Sequence, residues 1–235
     1  LFFGMLVLST AAEIRVGRRL GFSPQRRAIF SGLCTYPNAS FMGIPLCTAL
    51  MGDWGALYGA AVVAAFNILF FTVQDVLFQP GKKLEWKTFA TPLNAATVAA
   101  VVMLACGWHL PGTVQKVFSS VGGITTPLAL IIMGVMLAQR PLRELFLGRF
   151  SYAVVLIRNF FWPLVMLGVL ALLHADRTMS LALMVFSAMP SASLTAVFAA
   201  RYGGEGEISS RAVLLSTLAS IVSLPVMLLL AQAVL

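Results

Sequence analysis

Residues 26–50 read RRAIFSGLCTYPNASFMGIPLCTAL, an apolar run interrupted near its middle by Tyr36-Pro37-Asn38-Ala39-Ser40. A run of this length suffices for a bilayer crossing, which takes about 20 residues as a helix. Proline has no N–H and its ring clashes with the carbonyl four residues back, so a helix does not pass Pro37 undisturbed. A second apolar run, 178–201, carries the same device as Met189-Pro190-Ser191-Ala192-Ser193, at an offset of 153 residues. At that offset the runs 55–78 and 1–17 fall on 209–233 and 147–173, so three consecutive helices repeat.

Composition places this repeat in a bilayer. Of 235 residues, 60% are hydrophobic and only 10% charged, with a mean hydropathy of +0.93. A soluble domain carries about a quarter charged residues. Apolar runs bounded by charged or Gly/Pro-containing breaks give eight candidate spans, at roughly 1–17, 26–50, 55–78, 89–109, 113–138, 147–173, 178–201 and 209–233. Barrel strands would show about 10-residue segments of strict alternation, which are absent. The expected fold is therefore an all-α membrane protein of about eight transmembrane helices. Eight spans nearly exhaust the chain and leave no room for a soluble catalytic domain.

Runs 89–109 and 113–138 lie between the repeated triplets and open the second unit. Symmetry asks for two matching helices ahead of Leu1, and the first apolar run precedes its arginines, the wrong order for a signal peptide. The chain is thus expected to begin inside a longer protein. Five helices make a unit, an odd number, so the two units are expected to sit inverted, a 5+5 arrangement with two broken helices. Residues 1–79 would close the first unit. Residues 80–235 would form the whole second unit, with helices at about 89–138 and at about 147–233.

Charge supports the count. The odd loops hold Arg15, Arg18, Arg19, Arg26, Arg27, then Lys82, Lys83, Lys87, then Arg140, Arg143, Arg149, then Arg201 and Arg211. The even loops hold Lys116 and Arg177 alone. Short cytoplasmic loops retain Lys and Arg, so this bias of thirteen to two puts both chain ends outside the plasma (inner) membrane. It also accounts for the net charge of +8, with basic loops facing anionic lipid. Nucleic acid is excluded as a partner, because no water-facing basic domain is present.

Each break frees backbone carbonyls on one half-helix and N–H groups on the next, which must face protein or a water-filled cavity. A polar site is expected where Pro37 and Pro190 meet, with Asn38, Ser40, Ser191 and Ser193 as its binding groups. Arg158 lies about eleven residues into its span, near the bilayer centre, where a charge must face the bundle interior. Pairing with freed carbonyls and direct contact with a ligand are both open to it. Two half-helix N-termini and an arginine make the site electropositive, so a small organic anion is the expected substrate. Asn67 and Thr217 sit deep in the helices after the breaks and are candidates to line the cavity.

Glu13, Asp75, Asp53, His109 and His174 read as helix-end or loop residues. Cys34, Cys47 and Cys106 read as small apolar residues with no ligand spacing, so neither metal nor cofactor is expected. A membrane enzyme would need several His, Asp or Glu at depth. A channel or receptor is the other reading, and saturable counterflow would separate it from a carrier.

The stretch Pro37-Asn38-Ala39-Ser40-Phe41-Met42-Gly43-Ile44-Pro45-Leu46 resembles the P-N-x-x-x-M-G-I-P-L signature of the auxin efflux carrier family. Pro127-Leu128-Ala129-Leu130 through Gly134 to Leu137-Ala138 is similar to the family's next stretch. Arg158 with Pro163, Met189-Pro190 with Tyr202, and Ser216-Thr217 with Pro225 follow in order. The resemblance implies a ten-helix carrier of the bile-acid-transporter-like superfamily, with scaffold helices here at about 89–138 and a transport domain made of 1–79 and the helices at about 147–233. It implies that Pro37, Asn38 and Pro190 form the crossover, with Asn38 on a substrate carboxylate. Ser191 stands where plant relatives often carry a larger amide. The expected partners are a small organic anion and the lipid bilayer, with a homodimer allowed.

Overall fold

The computed structural model describes residues 1–79, 81–83, 86–124, 148–202 and 205–235, with single positions between 127 and 146. These residues form an all-α membrane protein. We number its helices α1 (Phe2–Arg19), α2 (Pro24–Thr35), α3 (Ala39–Met51), α4 (Asp53–Phe78), α5 (Pro92–Ala105), α6 (Gly112–Gly123), α7 (Arg149–Leu172), α8 (Arg177–Ser187), α9 (Ser193–Arg201) and α10 (Gly206–Val234). By length and composition α4, α7 and α10 can each cross a membrane. Part of the expected span 113–138, including Ala129, Leu130 and Leu137 of the second family-like stretch, lies outside the described residues, as do Arg140 and Arg143 of the loop after it.

Local chemistry sets several boundaries. Ser23 Oγ accepts from Arg26 N at 3.2 Å ahead of Pro24, starting α2 with a capped first turn. Asp176 Oδ2 does the same for Met179 N at 3.0 Å at the start of α8. At the far end of α2, Tyr36 turns to φ −91°, ψ 119°, the extended region that a following proline enforces. α3 begins immediately after, so the run 26–50 is two half-helices. The run 178–201 is divided likewise into α8 and α9.

Each half of the chain thus contributes a long helix, an interrupted pair and a second long helix. α1 packs on α2 and α4, and α3 on α4; α7 packs on α8 and α10, and α9 on α10. The halves join where α8 meets α3 and α4 and where α2 meets α7 and α9. Under the first break, Phe66 and Phe70 stack at 5.2 Å between ring centroids and Tyr36 stands edge-on to both. Phe198 of α9 closes that cluster, 5.1 Å from Phe70. α5 rests on α4, while none of the α6 residues is buried.

Three stretches of π-helix occur among the described residues, Ala39–Gly43 at the start of α3, Phe70–Gln74 within α4 and Leu156–Phe161 within α7. The first and the last are each followed within two residues by a proline, Pro45 and Pro163, that cannot supply the ordinary helical donor. Glu13, which sequence reading assigned to a helix end, is buried in α1 and accepts from Trp162 Nε1 at 3.0 Å.

Candidate functional site

The two breaks lie against one another. Pro37 and Ser191 form an antiparallel bridge. Asn38 N donates to the Pro190 carbonyl at 2.8 Å, and Ala192 N to the Tyr36 carbonyl at 2.9 Å. Each interruption therefore satisfies backbone groups of the other, which a single kinked helix in lipid would have to leave unpaired.

The prolines also release one carbonyl each, four residues back. The Leu33 carbonyl, released by Pro37, accepts from Ser191 Oγ at 2.8 Å. The Phe186 carbonyl, released by Pro190, accepts from Arg158 Nη2 at 3.4 Å. Arg158, 1% exposed, goes further: Nη2 donates to Ser187 O at 2.6 Å, Nε to Met189 O at 3.0 Å and Nη1 to Thr35 O at 3.1 Å. Of the two roles open to this residue in the sequence, the described contacts are those with freed carbonyls. Its charge sits between the C-terminal ends of α2 and α8, where helix dipoles favour a cation.

On the other side of the breaks is a cavity of about 270 Å³, lined among others by Asn38, Ser40, Asn67 and Ser193. Ala39, Ser40 and Phe41 open α3, and Ser193 and Leu194 open α9, so both helix N-termini border it. Phe66, Phe71 and Leu93 give it an apolar wall. Asn38 is 2% exposed, and its side-chain nitrogen, Nδ2, is buried without a hydrogen-bond partner among the described residues. Asn67 Nδ2 donates to Thr97 Oγ1 of α5 at 3.2 Å. Pro37, Asn38, Ser40, Asn67 and Ser193 are thus brought together. Ser191, Pro190 and Arg158 lie behind this wall, and Thr217 bonds back to Val213 O of its own helix at 2.9 Å.

Residues 78–228 match the family model of membrane transport proteins. The chain belongs to that family. It is also 28% identical, over 195 residues, to an uncharacterized transporter of Methanothermobacter thermautotrophicus, an alignment that takes in 80% of this chain and 63% of the relative. The chain thus spans less than two thirds of that relative's length. The family match contains the second break and Arg158. It bears out the resemblance to auxin efflux carriers first carried by the Pro37-Asn38 stretch.

Asn159 and Ser223 are polar groups that sequence reading did not single out. Asn159 Nδ2 donates to Ser216 O at 2.9 Å and to Ser223 Oγ at 3.2 Å. Ser216 Oγ donates to Asn159 Oδ1 at 2.7 Å and accepts from Ser191 N at 3.0 Å. This buried chain ties the second break to α7 and α10. Its signal was present: Arg158 and Asn159 are adjacent polar residues deep in one apolar run. Neighbours on a helix point about 100° apart, so one turns toward the breaks and the other toward α10. The cavity's aromatic wall carried no such signal, since phenylalanine is ordinary in any membrane helix.

Proposed function

We propose that the protein is a secondary carrier of small organic anions, a carboxylate or an auxin-like acid, that binds its substrate in the cavity beside Pro37 and works by alternating access. The observation that carries this reading is Asn38. Its amide N–H groups are buried at the cavity wall with no acceptor, and an unpaired buried donor is costly unless a ligand completes it. A carboxylate oxygen is such an acceptor, and charge-assisted bonds of this kind are the stronger class. The N-termini of α3 and α9 add positive partial charge on the same side. The apolar wall would take the hydrocarbon or aromatic part of the acid, in the usual division of labour of small-molecule sites.

In this reading residues 1–79 and about 147–233 supply the moving unit that carries both breaks, and about 89–138 belong to the scaffold. The two repeats, the first closed by residues 1–79 and the second formed by 80–235, are inverted relative to one another, and the carrier resides in the plasma membrane.

The test is uptake by the full-length protein in proteoliposomes, with a panel of dicarboxylates and aromatic acids. Saturable uptake with counterflow is expected for at least one acid. Asn38→Ala should raise its KM by about 10-fold, the scale of one lost bond to a charged group. Asn38→Asp, which sets a like charge against the substrate, should abolish uptake. Wild-type kinetics in both variants would remove Asn38 from the site, and flux without saturation or counterflow would make the protein a channel.

A further inference from the structure

Where carriers couple to a metal ion, unwound backbone carbonyls and the C-terminal ends of half-helices receive the cation. The breaks present such a cluster. The Thr35 carbonyl comes from the end of α2, and those of Phe186, Ser187 and Met189 from the end of α8. Four oxygens from two half-helices converge within 2.6–3.4 Å of one guanidinium. Among the described residues no carboxylate lies within ion-pair distance of Arg158, and its hydrogen bonds go to backbone carbonyls. Burying an arginine in a bundle costs several kcal/mol unless its donors are met, and here all three nitrogens bond.

We propose that Arg158 is a tethered cation: its guanidinium, held between the carbonyl ends of α2 and α8, takes the place of a coupling Na+ or K+ and keeps the anion cavity electropositive with no metal ion bound. The idea rests on the anion-carrier reading above and adds the nature of its coupling. The geometry of the breaks makes the link. Thr35 and Met189, whose carbonyls meet the guanidinium, lie within two residues of Pro37 and Pro190, and the two breaks pair with one another beside the cavity that Pro37 lines. A mobile ion at this point would order both breaks on arrival, so that anion affinity would follow ion concentration. A covalently attached charge is always present. Anion binding should then be indifferent to the alkali cation in the medium. Arg158 acts through the breaks and does not line the cavity, so it is a positioning residue.

Two measurements on the full-length protein test this. The first needs no substrate: melting of purified wild type, Arg158→Ala, Arg158→Lys and Arg158→Met in Na+, K+ or choline chloride, with and without low-millimolar methylguanidinium. Wild type should be unmoved by any of these. Arg158→Ala should melt lower and recover in methylguanidinium, which can re-enter the vacated carbonyl cluster. Should Arg158→Ala fail to fold, the lysine and methionine variants decide, because one keeps the charge and the other only the bulk. Lysine is expected to melt well above methionine, and equal melting would overturn the proposal. The second measurement is proteoliposome uptake of malonate, malate and indole-3-acetate. Wild-type KM should be the same in Na+ and choline. Arg158→Ala should raise KM about 10-fold, within the ordinary range of site-to-site coupling, and methylguanidinium should restore it. A wild type that requires Na+ or K+, or a folded Arg158→Ala that ignores methylguanidinium, overturns the tethered cation. If no acid is taken up by wild type, the carrier reading fails while the melting comparison still judges Arg158.

Discussion

At positions 37 and 190 proline acts through the bonds it withholds, and the residues around it are best understood by which withheld bond they replace. Ser191 replaces one. Its hydroxyl covers the Leu33 carbonyl and its backbone N–H is fixed by Ser216 Oγ. Ser193, by contrast, faces the cavity. Ser191→Ala should therefore lower stability by about 1–3 kcal/mol, the cost of a buried carbonyl left unpaired, while leaving substrate KM within about twofold. Ser193→Ala should do the reverse. Melting of the purified variants beside uptake kinetics distinguishes them, and a KM change confined to Ser191→Ala would reverse the assignment. The repeat made Asn38 and Ser191 look equivalent, because they occupy matched positions after matched prolines. In three dimensions Asn38 lies at the cavity wall and Ser191 reaches across to α2. That difference depends on the antiparallel register of the two breaks, which no single segment encodes.

Among the elements, the apolar runs were legible because hydrocarbon demands length and uniform hydropathy, and the described helices fall within a few residues of them. Where proline decides, the sequence needed its neighbours as well. Pro225 lies inside α10 without ending it, whereas Pro37 and Pro190, each followed by a small polar residue, end their helices. Glu13, read as a helix-end residue, lies toward the end of α1 but on its buried side. The buried face of α1 runs Phe2, Leu6, Ser9, Thr10, Glu13 and Gly17, a helical stripe that includes the carboxylate. Packing at this scale also turns on glycine. A Cβ on Gly55 would meet the Cys47 carbonyl oxygen at 2.1 Å, where α4 presses on α3, and backbone cannot yield as a side chain can. Gly55→Ala should cost about 1–3 kcal/mol or more through overpacking. Gly4→Ala in α1, with nothing within 4 Å, should be neutral or slightly stabilising through helix propensity. Melting of the two variants in detergent measures this, and equal melting temperatures would mean that the α3–α4 approach is not tight.

For the molecule as a whole, the alternation of basic loops implies that the odd connections share one end of the bundle, and several contacts join residues of those connections. Arg26, in the first turn of α2, lies 3.4 Å from Glu205 before α10 and over the ring of Phe150 at the start of α7. Asp75 near the end of α4 receives Lys82 at 2.6 Å and Tyr202, after α9, at 3.4 Å. By the positive-inside rule this end is expected on the cytoplasmic side. Cys106, which caps α5 at the end opposite its Thr91 start, is exposed, whereas Cys34 and Cys47 are buried. A membrane-impermeant maleimide applied to right-side-out vesicles should therefore label the wild-type protein, and Cys106→Ser should lose that label. In the Cys106→Ser background, Lys83→Cys should react only once the vesicles are opened. The opposite pattern, with Cys106 protected and position 83 open to the outside, would turn the protein over in the membrane. The cavity and Arg158 would keep their geometry, but under the proposed anion-carrier function the side of entry would exchange with the side of release.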